Sequence, residues 1–321
     1  MMPKLKIFLL SLALLLPFQA LGVETQDENT PLIHYILSPH PTPHQLYLHV
    51  STVFQGETSG QTLLKTPSQW AGIDYSAQIK NIRLNTQGAE WIEFDKNKPD
   101  LKLIRHKPDE MLHISYDIYP LAEASDIRQT IISQNLYQAP GYGLFVIPIS
   151  VEGQEALSRW NSTKISFSIR WVGLNHHWRT ASSHGMEKIL QFKGSIQDDL
   201  LPALYQAGTL QHYTLLLHEK LVDLSLYGDF KYTKAEFKEA LENIVAMEPD
   251  ILNGDSSQYW ISLVQGEVPF SKSEVNFKKC FAMYFPKSMT VADYLKKWKK
   301  DKIEEVKLEN ISYLHLGIGA H

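Results

Sequence analysis

The most restrictive feature of this sequence is a period of two. Tyr47-Leu48-His49-Val50-Ser51-Thr52-Val53-Phe54 is rich in β-branched and aromatic residues and ends at Gln55-Gly56, and Ile114-Ser115-Tyr116-Asp117-Ile118-Tyr119 alternates apolar with polar side chains before Pro120. The same alternation returns in Leu144-Phe145-Val146-Ile147-Pro148-Ile149 and in Lys164-Ile165-Ser166-Phe167-Ser168-Ile169-Arg170-Trp171-Val172. Such a run buries one face of a strand; a helix needs its apolar residues every three or four positions. Short strands divided by turn residues between positions 33 and 212 predict an antiparallel β-sandwich.

The character changes near residue 213. Tyr213–His218 and Val222–Tyr227 still read as strands, but Thr233-Lys234-Ala235-Glu236 is a capping box followed by Phe237, Leu241, Ile244 and Val245, one face of a helix closed by Pro249. Tyr259–Val264 reads as a buried strand and Phe277–Phe285 as another, and Thr290-Val291-Ala292-Asp293 starts a second helix carrying Tyr294, Leu295, Trp298 and Ile303. The expectation is an α+β chain: an N-terminal β-sandwich over residues 23–212 and a smaller mixed α/β module over 213–321.

Cys280 is alone, so no internal disulfide is available and packed cores must hold the fold. Its neighbours, Phe281-Ala282-Met283-Tyr284-Phe285, mark it as a buried strand residue rather than a nucleophile. At the N-terminus, Lys4 and Lys6 precede an apolar run from Ile7 to Phe18, and Ala20-Leu21-Gly22 supplies small residues for cleavage before Val23. Residues 1–22 therefore read as a signal peptide, and the expected location is secreted or periplasmic. The apolar run falls short of the roughly 20 residues needed to span a bilayer.

The formal charge is −4, and the leader holds two lysines and no acid, so the remainder is more acidic still. That excludes nucleic acid as the expected partner. The one basic run, Lys296-Lys297-Trp298-Lys299-Lys300, is followed by Asp301, Glu304 and Glu305 and reads as a solvated helix face.

The chemistry-bearing motifs are few. There is no Gly-x-Ser-x-Gly elbow and no phosphate-binding glycine loop with its lysine. Gly141-Tyr142-Gly143-Leu144-Phe145 reads as a tight turn feeding a strand, and Asp198-Asp199 as the cap of a short helix. Histidines gather at His34, His40, His44 and His49 and at His176, His177 and His184. The first group brackets Ser38-Pro39-His40-Pro41-Thr42-Pro43-His44, which reads as an extended, exposed loop without acidic or thiol co-ligands in register. Trp70, Trp91, Trp160, Trp171 and Trp178 all fall in the β module, where packing is the first use expected of them.

The last stretch, Ile311 to His321, is apolar and arrives at a histidine. His315 and His321 would point about 240° apart on a helix and cannot share a metal there. The order of the modules, with Tyr35-Ile36-Leu37 to Phe54, Leu63-Leu64-Lys65-Thr66-Pro67-Ser68-Gln69-Trp70-Ala71-Gly72-Ile73-Asp74-Tyr75 and Phe230 to Leu263, resembles the M61 (glycyl aminopeptidase) family of zinc peptidases. That resemblance implies a β domain followed by the start of a thermolysin-like catalytic domain, with His321 in the position of the first zinc ligand. The general-base glutamate, second histidine and acidic ligand have no counterpart in the 321 residues, and Gln265-Gly266-Glu267-Val268 lacks the histidine of the family's substrate-contact segment.

The expectation is thus an exported peptidase-like protein whose zinc site is incomplete in these residues, with no bound cofactor and zinc only if the further ligands were present. The alternative is a secreted protein that binds a peptide, protein or glycan through the β module. Leu314, Leu316 and Ile318 would offer an apolar surface for self-association.

Overall fold

The computed structural model describes residues 30–42, 45–120, 126–150, 158–161, 164–217, 220–229, 258–266, 274–277 and 280–286, with single positions between 235 and 242. From Pro31 onward the described residues belong to one compact unit.

Alternation does what the sequence predicts for residues 47–54, 114–119 and 164–172, but not for residues 144–149, where Leu144 ends a helical turn, the strand is limited to Ile147–Ile149, and residues 144–148 are buried without alternating. The largest sheet has six strands in the order β15 (Ile189–Gly194), β13 (Ile165–Trp171), β1 (Leu32–Thr42), β2 (Gln45–Gln55), β9 (Met111–Ile118) and β6 (Ile79–Leu84). Ile33, Tyr35 and Leu37, Val50 and Phe54, Ile114 and Tyr116, and Phe167 and Ile169 all turn inward and are completely or almost completely buried. Side chains of this size each contribute about 1.5–3 kcal/mol on burial. The buried phenols are satisfied: Tyr35 donates to the Val146 carbonyl at 2.9 Å and Tyr116 to that of Leu144 at 3.0 Å.

Neighbours in this sheet run antiparallel except β1 and β13, which are parallel, with Tyr35 opposite Ile169. The long stretch of chain between them gives room for the crossover a parallel pair requires. The proline-rich segment expected as a loop is instead strand. Pro39 lies opposite Leu48 and Pro41 opposite Leu46, while β13 ends opposite Leu37, so β1 has one neighbour at the prolines and the missing N–H groups cost no ladder bond on the open side.

Two four-stranded sheets close the sandwich. One orders β10 (Ile131–Ile132), β11 (Leu136–Pro140), β16 (Leu204–Gly208) and β14 (Arg179–Ser182); the other orders β12 (Ile147–Ile149), β3 (Gln61–Lys65), β8 (Leu101–Arg105) and β7 (Glu90–Ile92). Tyr137, Ala139, Tyr205 and Ala207 from the first and Leu64, Ile104 and Ile147 from the second join the same core as the six-stranded sheet. Trp160, Trp171 and Trp178 are also packed there.

A five-stranded mixed sheet follows: β17 (Gln211–Leu217), β18 (Lys220–Tyr227), β19 (Gln258–Gly266), β21 (Cys280–Pro286) and β20 (Glu274–Phe277). β18, β19 and β21 are parallel, and β17 and β20 are antiparallel edges. Positions 235, 238, 239, 241 and 242 between β18 and β19 are helical, with Leu241 buried as its spacing predicts. The single strand expected over Phe277–Phe285 is a hairpin arm pair, and Cys280 opens its second strand. The residues of the expected second helix, Thr290 to Ile303, lie outside the described set.

Candidate functional site

Strands β11 and β16 are buried along their whole length, which means both of their faces are covered. One face meets the sandwich core. On the other, Leu136, Leu204 and Ala181 pack against Trp260, Val264 and Ala282 of the five-stranded sheet. The middle of this apolar contact is polar. Gln138 and Gln206 are register partners on one sheet, and Ser225 and Ser262 are register partners on the other.

Gln206 Nε2 donates to Gln138 Oε1 and to Ser262 Oγ, the latter at 2.7 Å, while its Oε1 accepts from Ser225 Oγ at 3.0 Å. Trp260 Nε1 donates to Ser225 Oγ at 2.8 Å, and Gln138 Nε2 reaches the Ile127 carbonyl at 3.3 Å. All five side chains are 3% exposed or less. Every donor of Gln206 is used, so the junction is specified by polar geometry as well as by apolar area.

An aromatic lip sits at the edge of this junction. β4 (Gln69–Trp70) and β5 (Ile73–Asp74) form a hairpin whose two turn residues, Ala71 and Gly72, have φ of 50° and 82°, the left-handed pair that a two-residue hairpin uses. The Arg128 guanidinium donates to the Ala71 carbonyl at 3.0 Å and is held by Asp126, while the Tyr75 hydroxyl donates to the Arg128 carbonyl at 2.7 Å. This fixes Trp70, which stacks on Tyr142 with centroids 4.5 Å apart and planes 10° from parallel. Trp70, Met186 and Tyr227 also pack on the second core.

Tyr142 stands on a single helical turn, Gly141–Leu144, where a plain turn was expected. Burial and then the Asp198 charge push its phenol pKa up, so it remains neutral. Both lip rings are half-buried. The lip can receive an apolar or aromatic side chain, but Arg128 and Asp126 are committed to one another and supply no acid or base.

The sequence-predicted histidines divide. His34, His40 and His49 lie on the outer face of the six-stranded sheet, and His113, which sequence reasoning did not single out, joins them from β9. His49 Nδ1 lies 2.7 Å from Asp117 Oδ1, and Asn81 Nδ2 donates to Asp117 Oδ2 at 2.8 Å. His113 Nε2 lies 2.7 Å from Ser51 Oγ, and His40 stacks on Tyr47 at 4.4 Å. A serine, two histidines and an aspartate are thus near one another without forming a nucleophilic triad. Asp117 orients His49, whereas Ser51 pairs with the other imidazole, and the backbone there is occupied by strand pairing rather than turned toward an oxyanion.

Burial, with His49 next in order, lowers the pKa of His113; burial and then His49 lower that of His40, against a smaller opposing effect of Asp117; burial lowers that of His34. The sign follows directly. Below the unfolded value of 6.5 the unfolded chain binds protons that the folded face resists, so stability is full above that pH and falls as acidification proceeds through the lowered folded values. We expect the melting temperature to drop as the pH falls from about 7.5 to about 5, and His113→Gln to flatten that slope; an unchanged slope would show that this imidazole is not resisting protonation.

Of the second group of histidines, His184 is partly buried and packed, whereas His176 and His177 are exposed. His184 stacks on Phe192 at 3.6 Å and its Nε2 lies 2.9 Å from the Asp199 carbonyl, and the His176 and His177 rings touch at 3.6 Å. Asp198 and Asp199 sit in the first turn of a short helical segment, Ile196–Leu200, whose cap is Ser195: the Asp198 N–H donates to Ser195 Oγ at 2.8 Å. His44, His315 and His321 lie outside the described residues. Among the described residues no group of three His, Cys, Asp or Glu side chains could hold a metal ion, so they do not fit a zinc centre. No described helix is long and apolar enough to cross a membrane.

A β-sandwich stacked on a five-stranded mixed sheet is a fold this chain shares with part of a solved structure. The chain is similar to the crystal structure of an aminopeptidase N family protein from Idiomarina loihiensis, with a TM-score of 0.61 and 14% identity over 80% of this chain. It spans 43% of that protein's length. A mutant two-domain M1 zinc metallopeptidase bound to L-arginine matches with a TM-score of 0.41 and 12% identity, covering 79% of this chain and 59% of that one; of these two, the first defines the fold. No protein-family model matches the chain, and no curated protein matches it in sequence.

Proposed function

We propose that this chain is the front portion of an exported aminopeptidase-type protein, in which the β module and the five-stranded sheet form a rigid wall beside a substrate cleft. The observation that carries this reading is the junction itself: two modules in the order of the aminopeptidase fold, joined by a buried and fully paired polar cluster and edged by the Trp70–Tyr142 lip. The lip's part is to receive the apolar side chain of a peptide. Within the wider group, Leu63 to Tyr75 and the module order favour the M61 branch, and Lys4, Lys6 and Ile7–Phe18 favour export to the periplasm or beyond.

Metal-assisted attack of water on an amide needs about three protein ligands and an open position on the ion. Of these, the 321 residues offer a counterpart of the first, His321. We therefore expect this stretch of chain by itself to retain less than one equivalent of zinc after dialysis and to leave N-terminal glycine and alanine amides uncut. Stoichiometric, tightly held zinc together with turnover would refute that reading.

A further inference from the structure

The outer face of the six-stranded sheet carries a second feature, independent of the junction. Register places Arg170, Ile36, Ser51, Ser115 and Arg83 in one continuous row across β13, β1, β2, β9 and β6. The adjacent row is Ser38, His49, Asp117 and Lys80, and the row beyond Ser51 on the other side holds Gln191, Ser168, His34, Val53 and His113. The central row continues past Arg170 to Ile189 on the edge strand, so the face is an array of hydroxyls, imidazoles and an amide, interrupted by Ile36 and Val53, with Arg170 and Arg83 towards the two ends of its central row.

Two observations mark these cations as placed for a ligand. Arg105, Arg128 and Arg159 each meet a carboxylate, whereas Arg83, Arg170 and Arg179 are exposed and have no ion pair among the described residues, and two of these three, Arg83 and Arg170, lie in the central row of this face. Strict alternation would also send Lys80 and Arg83, three positions apart, to opposite faces of β6. A bulge between them, with Asn81 at φ 56° and its amide tied to Asp117, brings both to the outer face. The Lys80 ammonium lies over the Tyr119 ring at 4.9 Å, and Tyr119 stacks on Tyr47 at 5.5 Å, which braces this end of the sheet.

We propose that this face binds a linear acidic polysaccharide, laid across the strands with its carboxylates on Arg83 and Arg170 and its hydroxyls on the serine, histidine and asparagine side chains between them. Four inter-strand steps separate the two arginines, about 19 Å at the usual strand spacing, which no single sugar ring spans. Charge complementarity selects an anion, since the chain is acidic overall while Asp117 is the one carboxylate of these rows and is already bonded to His49 and Asn81. A bilayer is the poorer fit: the exposed apolar side chains of the face, Met111 and Ile189, stand at the starts of their strands rather than at its centre.

Acid strengthens the contact. His40 and His113 are neutral near pH 7 and gain charge as the pH falls, facing Lys80, Arg83, Arg170, Lys193, His34, His49 and the single carboxylate of Asp117. Sugar carboxylates stay ionised over that range.

The test is binding of the full chain to polygalacturonate at low ionic strength, with neutral dextran and phosphatidylglycerol vesicles as the other arms. Arg83→Ala/Arg170→Ala should weaken polygalacturonate binding at least tenfold while leaving the melting temperature unchanged, and Arg105→Ala, on a different sheet, should leave binding intact. Affinity should rise as the pH is lowered from about 7.5 to about 5.5 and fall with added salt. Equal binding to dextran, binding to vesicles alone, no binding to polygalacturonate, or an unaffected double variant would each overturn the proposal.

Discussion

Gln206→Leu is expected to cost about 3 kcal/mol or more of folding stability, a large share of what a domain possesses. The substitution keeps side-chain bulk but deletes two donors and one acceptor at a position that is 0% exposed. Gln138 Oε1, Ser262 Oγ and the Ser225 hydroxyl then lose a partner in a region water does not reach. Each buried orphan costs about 1–3 kcal/mol, and the hydroxyls recover a little by rotating. Urea unfolding gives the difference directly from the midpoint at constant slope. Adding Gln138→Leu and Ser262→Ala to the same chain should recover part of the loss, because two of the orphans disappear with their side chains. A Gln206→Leu penalty below about 1 kcal/mol, or no recovery, would mean that apolar contact alone holds the sheets together.

That cluster also shows where sequence reading stops. The strands that bury one face were legible: β2, β9, β13 and β18 lie where the alternation of Tyr47–Phe54, Ile114–Tyr119, Lys164–Val172 and Val222–Tyr227 predicts, and β19, buried on both faces, lies where the largely apolar run Tyr259–Val264 marks a buried strand. β11 and β16 were not, because a strand covered on both sides need not alternate, and Leu-Tyr-Gln-Ala reads as a half-polar segment. One signal was present. Leu136-Tyr137-Gln138-Ala139 and Leu204-Tyr205-Gln206-Ala207 repeat the same four residues, and the structure pairs them antiparallel so that the two glutamines meet.

The outer face was legible in part. His34, His40 and His49 stood out, but proline density suggested a loop where an edge position lets prolines remain in the strand. His113, Arg83 and Arg170 are distant in sequence and become neighbours of that group through register alone. The bulge that turns Lys80 and Arg83 the same way has no sequence mark beyond Asn81, a residue that tolerates the left-handed conformation. The Trp70–Tyr142 lip joins two motifs that were read separately, a tryptophan before a turn and a glycine-rich turn before a strand, and their stacking depends on how two loops dock.

Gly141→Ala is the second substitution expected to have a large effect, and the reason is space rather than backbone angle. A methyl group at this position would lie 2.2 Å from the Leu200 carbonyl oxygen and 2.8 Å from both Leu201 Cα and the Leu201 carbonyl oxygen, all main-chain atoms that cannot rotate away. The approach is close because the Gly141 N–H donates to the Ala203 carbonyl at 2.8 Å and the Tyr142 N–H to that of Leu201 at 3.0 Å, docking the helical turn directly onto the segment before β16. Relief requires the two main chains to part, which strains both bonds and shifts Tyr142 away from Trp70. Overpacking of this kind costs about 3 kcal/mol. Gly72→Ala provides the contrast: its added methyl meets nothing within 4 Å, but its φ of 82° imposes a left-handed penalty of about 1–2 kcal/mol. Gly141→Ala should therefore be the more destabilised protein by urea unfolding, and should also lose the near-ultraviolet circular dichroism of the stacked Trp70–Tyr142 pair. Equal losses for the two variants, with the aromatic signal retained, would show that the turn and the β16 approach can separate without disturbing the lip.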